Sequence, residues 1–139
     1  MEKVYITKGN YSGFETFLEQ VCDKYHLYNY IGAIDIAIEK VFEVAQTDLL
    51  LSASNTNEGI CFSFEAKESI FSKMSFSDRD NPMFDTLFII KNLSDYIQIS
   101  EDGKVMNLYF YINGIEEELV IKRRENIKSY SSNKLSMAK

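Results

Sequence analysis

Apolar residues in the N-terminal part of the chain recur three and four positions apart, a spacing typical of one face of an α-helix. A first helix is predicted to start at Ser12, whose hydroxyl would form a capping box with Glu15, and to end near His26. A second helix is predicted over about residues 31–46, and a third over residues 84–95. The pattern therefore indicates three helices, two of them adjacent in the sequence.

Alternation of apolar and polar residues predicts the strands. The predicted strands are residues 4–7, 60–65, 71–77, 96–100, 105–112 and 119–122. Residues 60–65 and 71–77 fit an antiparallel, hairpin-like pair, whereas residues 48–54 fit either an extension of the second helix or a strand. Asp102-Gly103 and Asn113-Gly114 are dipeptides typical of tight hairpin turns, so the C-terminal strands are expected to pair through them.

The helices and strands are segregated along the chain, which favours an α+β fold over a strictly alternating one. We expect a two-layer sandwich: a mixed, mostly antiparallel sheet with about three helices on one face. A length of 139 residues is typical of one domain, assigned here to residues 1–124. Residues 125–139 are rich in Lys, Ser and Asn and are predicted to form a flexible tail.

Charge and cysteine content narrow the function classes. The formal net charge of −6 disfavours nucleic-acid binding, because neutralisation of phosphates supplies most of that affinity. One histidine and two cysteines, Cys22 and Cys61, make a zinc site of the usual kind improbable, and both thiols are predicted to be buried, with a disulfide left open. The chain carries neither a signal-peptide pattern nor an apolar stretch of membrane-spanning length, so a cytoplasmic location and no membrane partner are expected.

Two acidic segments are the candidates for chemistry. Asp35, Glu39 and Glu43 are four residues apart on the second helix, so they share one face that is either solvated or able to hold a cation. The bend Asp78-Arg79-Asp80-Asn81-Pro82 precedes the third helix. An aspartate in such a bend is also a common turn residue, which is the alternative interpretation of Asp78.

These segments, together with the order of elements over about residues 4–122, resemble the GHKL (histidine-kinase-like) ATPase fold, and within it the small anti-sigma-factor serine/threonine kinases. The resemblance implies that Glu39 is the catalytic glutamate that positions or activates the attacking group. Glu43 would stand where the family has the asparagine that holds the Mg²⁺ of ATP. A register shifted by one residue would place Lys40 and Val44 at these positions and lose both functions.

The same resemblance implies an adenine site in the bend. Asp78 would accept a hydrogen bond from the adenine amino group, Asp80 would replace the family's glycine, and Pro82 would match its proline. An alternative register gives the aspartate role to Asp80 and the glycine position to Pro82. Lys91, on the third helix, would be in reach of a phosphate. The family's glycine-rich phosphate loop is nearly absent, because the third helix follows the bend at once.

A side chain where the family needs a glycine costs on the order of 1 kcal/mol, and Asp80 and Asp85 place negative charge near the expected triphosphate. We therefore predict a degenerate anti-sigma-kinase-like regulatory domain that acts by protein–protein interaction, with weak or absent ATP binding. The alternative, less favoured, is an active ATP- and Mg²⁺-dependent serine/threonine kinase that phosphorylates a small anti-anti-sigma partner. The partner that the resemblance implies is a sigma factor or an anti-anti-sigma-like protein, and a homodimer is a further option.

Overall fold

The computed structural model describes residues 2–10, 13–56 and 59–111. The strands are β1 (Glu2–Ile6), β2 (Leu49–Asn55), β3 (Ile60–Glu65), β4 (Tyr96–Ile99) and β5 (Val105–Phe110). The helices are α1 (Gly13–Tyr25), α2 (Ile31–Ala45) and α3 (Phe84–Leu93), with short 3-10 turns at Tyr28–Tyr30 and Phe71–Lys73. The segment 48–54, for which helix and strand were both open, is strand β2.

The five strands form one sheet in the order β1-β2-β3-β5-β4. Every pairing among them is antiparallel, including the one between β3 and β5, which are separated in sequence by α3 and β4. The predicted α+β class is therefore confirmed, while the described sheet is antiparallel throughout instead of mixed. β5 lies between β3 and β4, so both of its edges are already hydrogen-bonded.

The core lies between the three helices and one face of the sheet. Leu51 of β2, Phe64 of β3 and Met106 of β5 are fully buried and occupy adjoining positions on that face. Phe42 of α2 connects the layers, because its ring stacks on Phe14 of α1 at 5.9 Å and meets the edge of Phe64 at 6.0 Å. Interlocking aromatic rings of this kind contribute roughly 0.5–1.5 kcal/mol beyond the area they bury.

The strand predicted over residues 71–77 is wrong. Phe71–Lys73 is a 3-10 turn, followed by an irregular segment. The reason is the position of β5, which pairs with β3 from Ile60 to Glu65 and thereby occupies the edge that a strand at 71–77 would need. Phe71 instead turns inward, where it is fully buried, and its N–H donates to the carbonyl of Gly103 at 2.9 Å.

The turn between β4 and β5 is the predicted Asp102-Gly103 hairpin. Gly103 has a left-handed φ of 71°, and its N–H donates to the carbonyl of Ser100 at 2.9 Å. Ser12, Asn113-Gly114, the predicted strand 119–122 and the predicted tail 125–139 lie outside the described residues. The capping box, the second hairpin and the tail therefore stay predictions.

Candidate functional site

The two glutamates predicted on α2 lie on its solvent side. Glu39 and Glu43 are both exposed, because the opposite side of α2, with Val41 and Phe42, is fully buried in the core. Glu43 accepts a hydrogen bond from the Lys40 ammonium at 3.0 Å, one turn earlier on the same helix. The Lys40–Glu43 ion pair is partly exposed, and such pairs contribute only about 0–1 kcal/mol to stability.

A third acid joins these residues from the preceding turn of α2. Asp35 is partly buried, and this burial, followed by the nearby charges of Glu39 and Glu15, raises the pKa of its carboxyl. The carboxylates of Asp35 and Glu39 on α2 and of Glu15 on α1 therefore repel one another. In the part of the chain that the structure describes, no group of three or more His, Cys, Asp or Glu side chains is arranged to hold a metal ion. The predicted Mg²⁺ role of Glu43 stays a prediction.

The acidic bend before α3 is a surface turn. Asp78, Asp80 and Pro82 are exposed. The carboxylate of Asp78 accepts the N–H of Asp80 at 3.0 Å, and its carbonyl accepts the N–H of Asn81 at 3.1 Å. Asn81 then continues the turn, since its side-chain oxygen accepts the N–H of Met83 at 2.9 Å. This geometry is that of an Asx turn that leads the chain into a helix. It agrees with the alternative interpretation of Asp78 as a turn residue.

A cleft of about 300 Å³ opens beside the C-terminal end of α3, between Phe76 and the start of β4. Its lining residues are Phe76, Lys91, Ser94, Asp95, Tyr96 and Ile97. Of the predicted site residues, Lys91 lines this cleft, and its side chain is exposed at the rim. Aromatic and aliphatic walls with a cation at the rim suit an apolar group, with or without a negative charge.

Two polar side chains of the cleft form hydrogen bonds with backbone groups of the protein. The Ser94 hydroxyl donates to the carbonyl of Ile90 at 2.8 Å, which ends α3. The Asp95 carboxylate accepts the N–H of Tyr111 at 2.7 Å, which ties the start of β4 to the end of β5. The sequence reasoning missed this cleft, although the sharp change from helix to strand pattern at Ser94-Asp95 was a signal for it.

The predicted site residues are thus distributed over three places. Glu39 and Glu43 are on the outer side of α2, Asp78 to Pro82 form the surface bend, and Lys91 is at the cleft. The hydrogen bonds of Asp78 and the ion pair of Glu43 are all made to residues within three positions along the chain. These contacts are local and give no sign of a shared nucleotide pocket, so the roles assigned by resemblance stay predictions.

The face of the sheet that points away from the helices forms a second candidate surface, here called the open sheet face. One row of polar side chains crosses it, made of laterally paired residues from all five strands: Lys3, Ser52, Ser63, Asn107 and Gln98. Within that row, the Ser63 hydroxyl donates to the Asn107 side-chain oxygen. The row gives the centre of the face hydrogen-bonding groups in place of a continuous apolar surface.

Aromatic residues flank this polar row at both edges of the sheet. Tyr5 on β1 and Tyr96 on β4 are each 51% exposed, although each carries a large ring. The Tyr96 ring lies 5.5 Å from that of Tyr109, whose hydroxyl donates to Gln98 at 3.1 Å. The open sheet face therefore combines exposed rings with a polar centre.

Both cysteines are free and buried, which confirms the prediction of buried thiols and answers the open question of a disulfide. Cys22, on α1, is buried in the hydrophobic core. This burial, followed by the charges of Asp23 and Asp35, raises the pKa of its thiol to about 11. Cys61 points to the open sheet face, and burial is again the main cause of its raised pKa. Thiols with raised pKa values are poor nucleophiles at neutral pH, so neither suits catalysis.

Among the residues with described structure, no helix combines the length and hydrophobicity that crossing a bilayer requires. No protein-family model matches the chain, and comparison with curated proteins and with solved structures gave no significant match.

Proposed function

We propose that this chain is a regulatory domain that acts by protein–protein interaction and binds ATP weakly or not at all. The open sheet face is the observation that carries the proposal. It spans five strands, has half-exposed tyrosines at both edges and a hydrogen-bonding row between them. Protein interfaces are enriched in tyrosine and depend on satisfied polar contacts around such rings.

The geometry of the bend and of α2 supports the weak nucleotide binding that we propose. An adenine acceptor works in a cleft that buries the base, whereas Asp78 is exposed and its carboxylate accepts a backbone N–H within its own turn. Asp80 is exposed beside it, so the bend concentrates negative charge instead of attracting a triphosphate. Glu43 in its ion pair with Lys40 would have to exchange a cation partner to bind Mg²⁺.

The partner class follows from the resemblance alone. Because the order of elements predicted from the sequence resembles that of the anti-sigma-factor kinases, we propose a sigma factor or an anti-anti-sigma-like protein as the binding partner. The open sheet face would supply the contact surface, with Tyr5 and Tyr96 as its exposed rings.

The nucleotide half of the proposal is tested by thermal shift in millimolar Mg-ATP, with Mg²⁺ alone as the reference. We expect equal melting temperatures, since the stabilisation by a ligand becomes negligible when its concentration is far below its Kd. A shift with Mg-ATP that disappears in Asp78→Asn would contradict the proposal and support the kinase alternative. The Lys91→Met variant would then show whether the cleft beside α3 takes part.

The interaction half is tested by calorimetric titration against the sigma factors and anti-anti-sigma-like proteins of the source cell. Tyr96→Ala and Tyr5→Ala are expected to weaken binding about tenfold or more, as is usual for exposed aromatic anchors. Tyr28→Ala is the matched control, because Tyr28 is 56% exposed but belongs to the 3-10 turn before α2 and not to a strand of the sheet. An equal loss in Tyr28→Ala, or no binding by any protein of the panel, would contradict the proposal.

A further inference from the structure

The cleft beside α3 is small and largely apolar in its walls. Its volume of about 300 Å³ is at the lower end of the range of small-molecule sites, which is roughly 300–1,000 Å³. Two aromatic rings and one aliphatic side chain line it, those of Phe76, Tyr96 and Ile97. Contact with these groups removes apolar ligand surface from water, which is favourable. The cleft therefore suits a small ligand that has an apolar part.

Ser94 and Asp95 give the cleft hydrogen-bond acceptors. Ser94 is only 6% exposed, and its hydroxyl hydrogen is donated to the carbonyl of Ile90 at 2.8 Å. Any further hydrogen bond of that hydroxyl oxygen is therefore one that it accepts. The Asp95 carboxylate accepts the N–H of Tyr111 at 2.7 Å, and an ionised carboxylate has about four acceptor positions and no donor. This part of the cleft matches a ligand group that donates hydrogen bonds.

Lys91 gives the rim of the cleft the opposite character. It belongs to the last turn of α3, four residues before Asp95, and its side chain is exposed. The ammonium of a lysine has a positive charge, three donors and no acceptor. Hydrogen bonds between such a group and a carboxylate are among the stronger ones in proteins. The rim therefore matches a ligand group that is negatively charged.

The two opposite charges of the cleft restrict the class of ligand. A simple carboxylic acid would be attracted by Lys91 but repelled by Asp95, and a simple amine would be attracted by Asp95 but repelled by Lys91. A molecule that carries an ammonium and a carboxylate side by side can satisfy both residues. Repulsion of this kind against the wrong ligands is a common source of specificity.

We propose that the cleft beside α3 binds a free α-amino acid with an apolar side chain. The ammonium of the ligand donates to the Ser94 hydroxyl oxygen and the Asp95 carboxylate, and its carboxylate accepts from Lys91. The apolar side chain of the ligand lies against Phe76 and Ile97. This inference goes beyond the proposed function, since it concerns a small zwitterionic ligand instead of a protein partner or a nucleotide.

An NMR titration of the full-length chain with L-phenylalanine tests the proposal. We expect saturable shifts of the backbone amides of residues 94–97 at millimolar ligand, whereas the amides of β1, at the opposite edge of the sheet, should not move. Glycine, which lacks the apolar side chain, should bind about tenfold or more weakly. N-acetyl-L-phenylalanine lacks the ammonium and L-phenylalaninamide lacks the carboxylate, so each should also bind about tenfold or more weakly.

Two variants test the charges of the cleft. Asp95→Asn keeps a side-chain oxygen that can accept the Tyr111 N–H, but it removes the charge and should weaken L-phenylalanine binding about tenfold. Lys91→Met should weaken binding about threefold or more, a smaller effect because an exposed charge is screened by water. Lys67→Met and Asp23→Asn are the matched controls, since each removes an exposed charge that does not line the cleft, and both should bind as the parent chain does.

Three results would overturn the proposal: no shifts at residues 94–97, a blocked analogue that binds as tightly as L-phenylalanine, or losses in the control variants equal to those in the cleft variants. If Asp95→Asn does not fold, as judged by the amides of β2 and β3, the parent chain decides. L-phenylalanine should then still bind more tightly than both of its blocked analogues, and equal binding would overturn the proposal.

Discussion

Gly103 is the position where a single methyl group should be most disruptive. It adopts a left-handed φ of 71°, and a β-carbon built there would lie 2.5 Å from the Ser69 hydroxyl oxygen, 2.7 Å from the Ser72 β-carbon and 3.0 Å from the Ser72 backbone nitrogen. The Ser69 hydroxyl can rotate away, but the Ser72 backbone is fixed, because the neighbouring Phe71 is buried and bonded to the Gly103 carbonyl. The turn after β4 and the Phe71–Lys73 turn would have to separate.

Two free-energy costs add in the variant Gly103→Ala. The left-handed conformation costs a non-glycine residue roughly 1–2 kcal/mol, and forcing a methyl group into a filled space costs about 1–3 kcal/mol more. Gly9→Ala isolates the first term, because Gly9 has a φ of 88° with nothing within 4 Å of its added β-carbon. Urea unfolding should therefore give a loss of about 2–5 kcal/mol for Gly103→Ala and about 1–2 kcal/mol for Gly9→Ala. Equal losses in the two variants would refute the packing of the two turns against each other.

Two further predictions concern the core and the acidic side of α2. Phe71→Ala should lower the free energy of unfolding by about 3–5 kcal/mol, because Phe71 is fully buried, whereas Phe76→Ala, at the partly buried wall of the cleft, should cost far less. Similar losses of the two variants in urea unfolding would show that Phe71 is not the more deeply buried residue of the pair. Asp35→Asn should raise the melting temperature at pH 7, because the folded-state pKa of Asp35 is raised and its charged form therefore opposes folding at neutral pH. This gain should shrink as the pH falls through the raised folded-state pKa, and it should vanish below the unfolded value of about 3.9, where the carboxyl is protonated in both states. The exposed Asp23→Asn on α1 is the charge-matched control, and a gain at pH 7 as large as that of Asp35→Asn would argue against the raised pKa.

The helices were predictable because their apolar residues are numerous and face one core. The spacing of Phe14, Val21 and Cys22 in α1, and of Ile34 and Phe42 in α2, already indicated the buried sides that the structure has. Each of these positions is buried in the core cluster. Regular burial along one side of a helix is a local property, so a local pattern can report it.

The segment 71–77 shows where local patterns fail. Its alternation is satisfied mostly by serines and one lysine, and a single apolar residue on one side, Phe71, is fully buried. Whether such a run becomes a strand depends on a free sheet edge, and β5, which begins at Val105 and comes much later in the chain, occupies that edge. Pairing between distant strands cannot be read from either strand alone.

The candidate site was predictable only in part, because it too depends on contacts between segments that are distant in the sequence. Lys91 was expected near a ligand and lines a cleft, but the other walls of that cleft come from Phe76 and Tyr96, which no motif marked. Asp78 was singled out correctly as a bend residue, while the partner of its carboxylate, the Asp80 N–H, is decided by the turn geometry. The open sheet face likewise depends on strand register, which aligns Ser52, Ser63 and Asn107 in one row.

The amino-acid sequence by itself determined the α+β class, the positions of the three helices, the Asp102-Gly103 turn and the buried state of both cysteines. Periodicity, turn chemistry and hydrophobicity act over a few residues, so each of these features is specified within its own segment. The tertiary structure alone decided the strand order, the loss of a strand at 71–77, the cleft beside α3 and the open sheet face. These features depend on which distant segments compete for the same edge or the same face, and that competition is settled only when the whole sheet assembles.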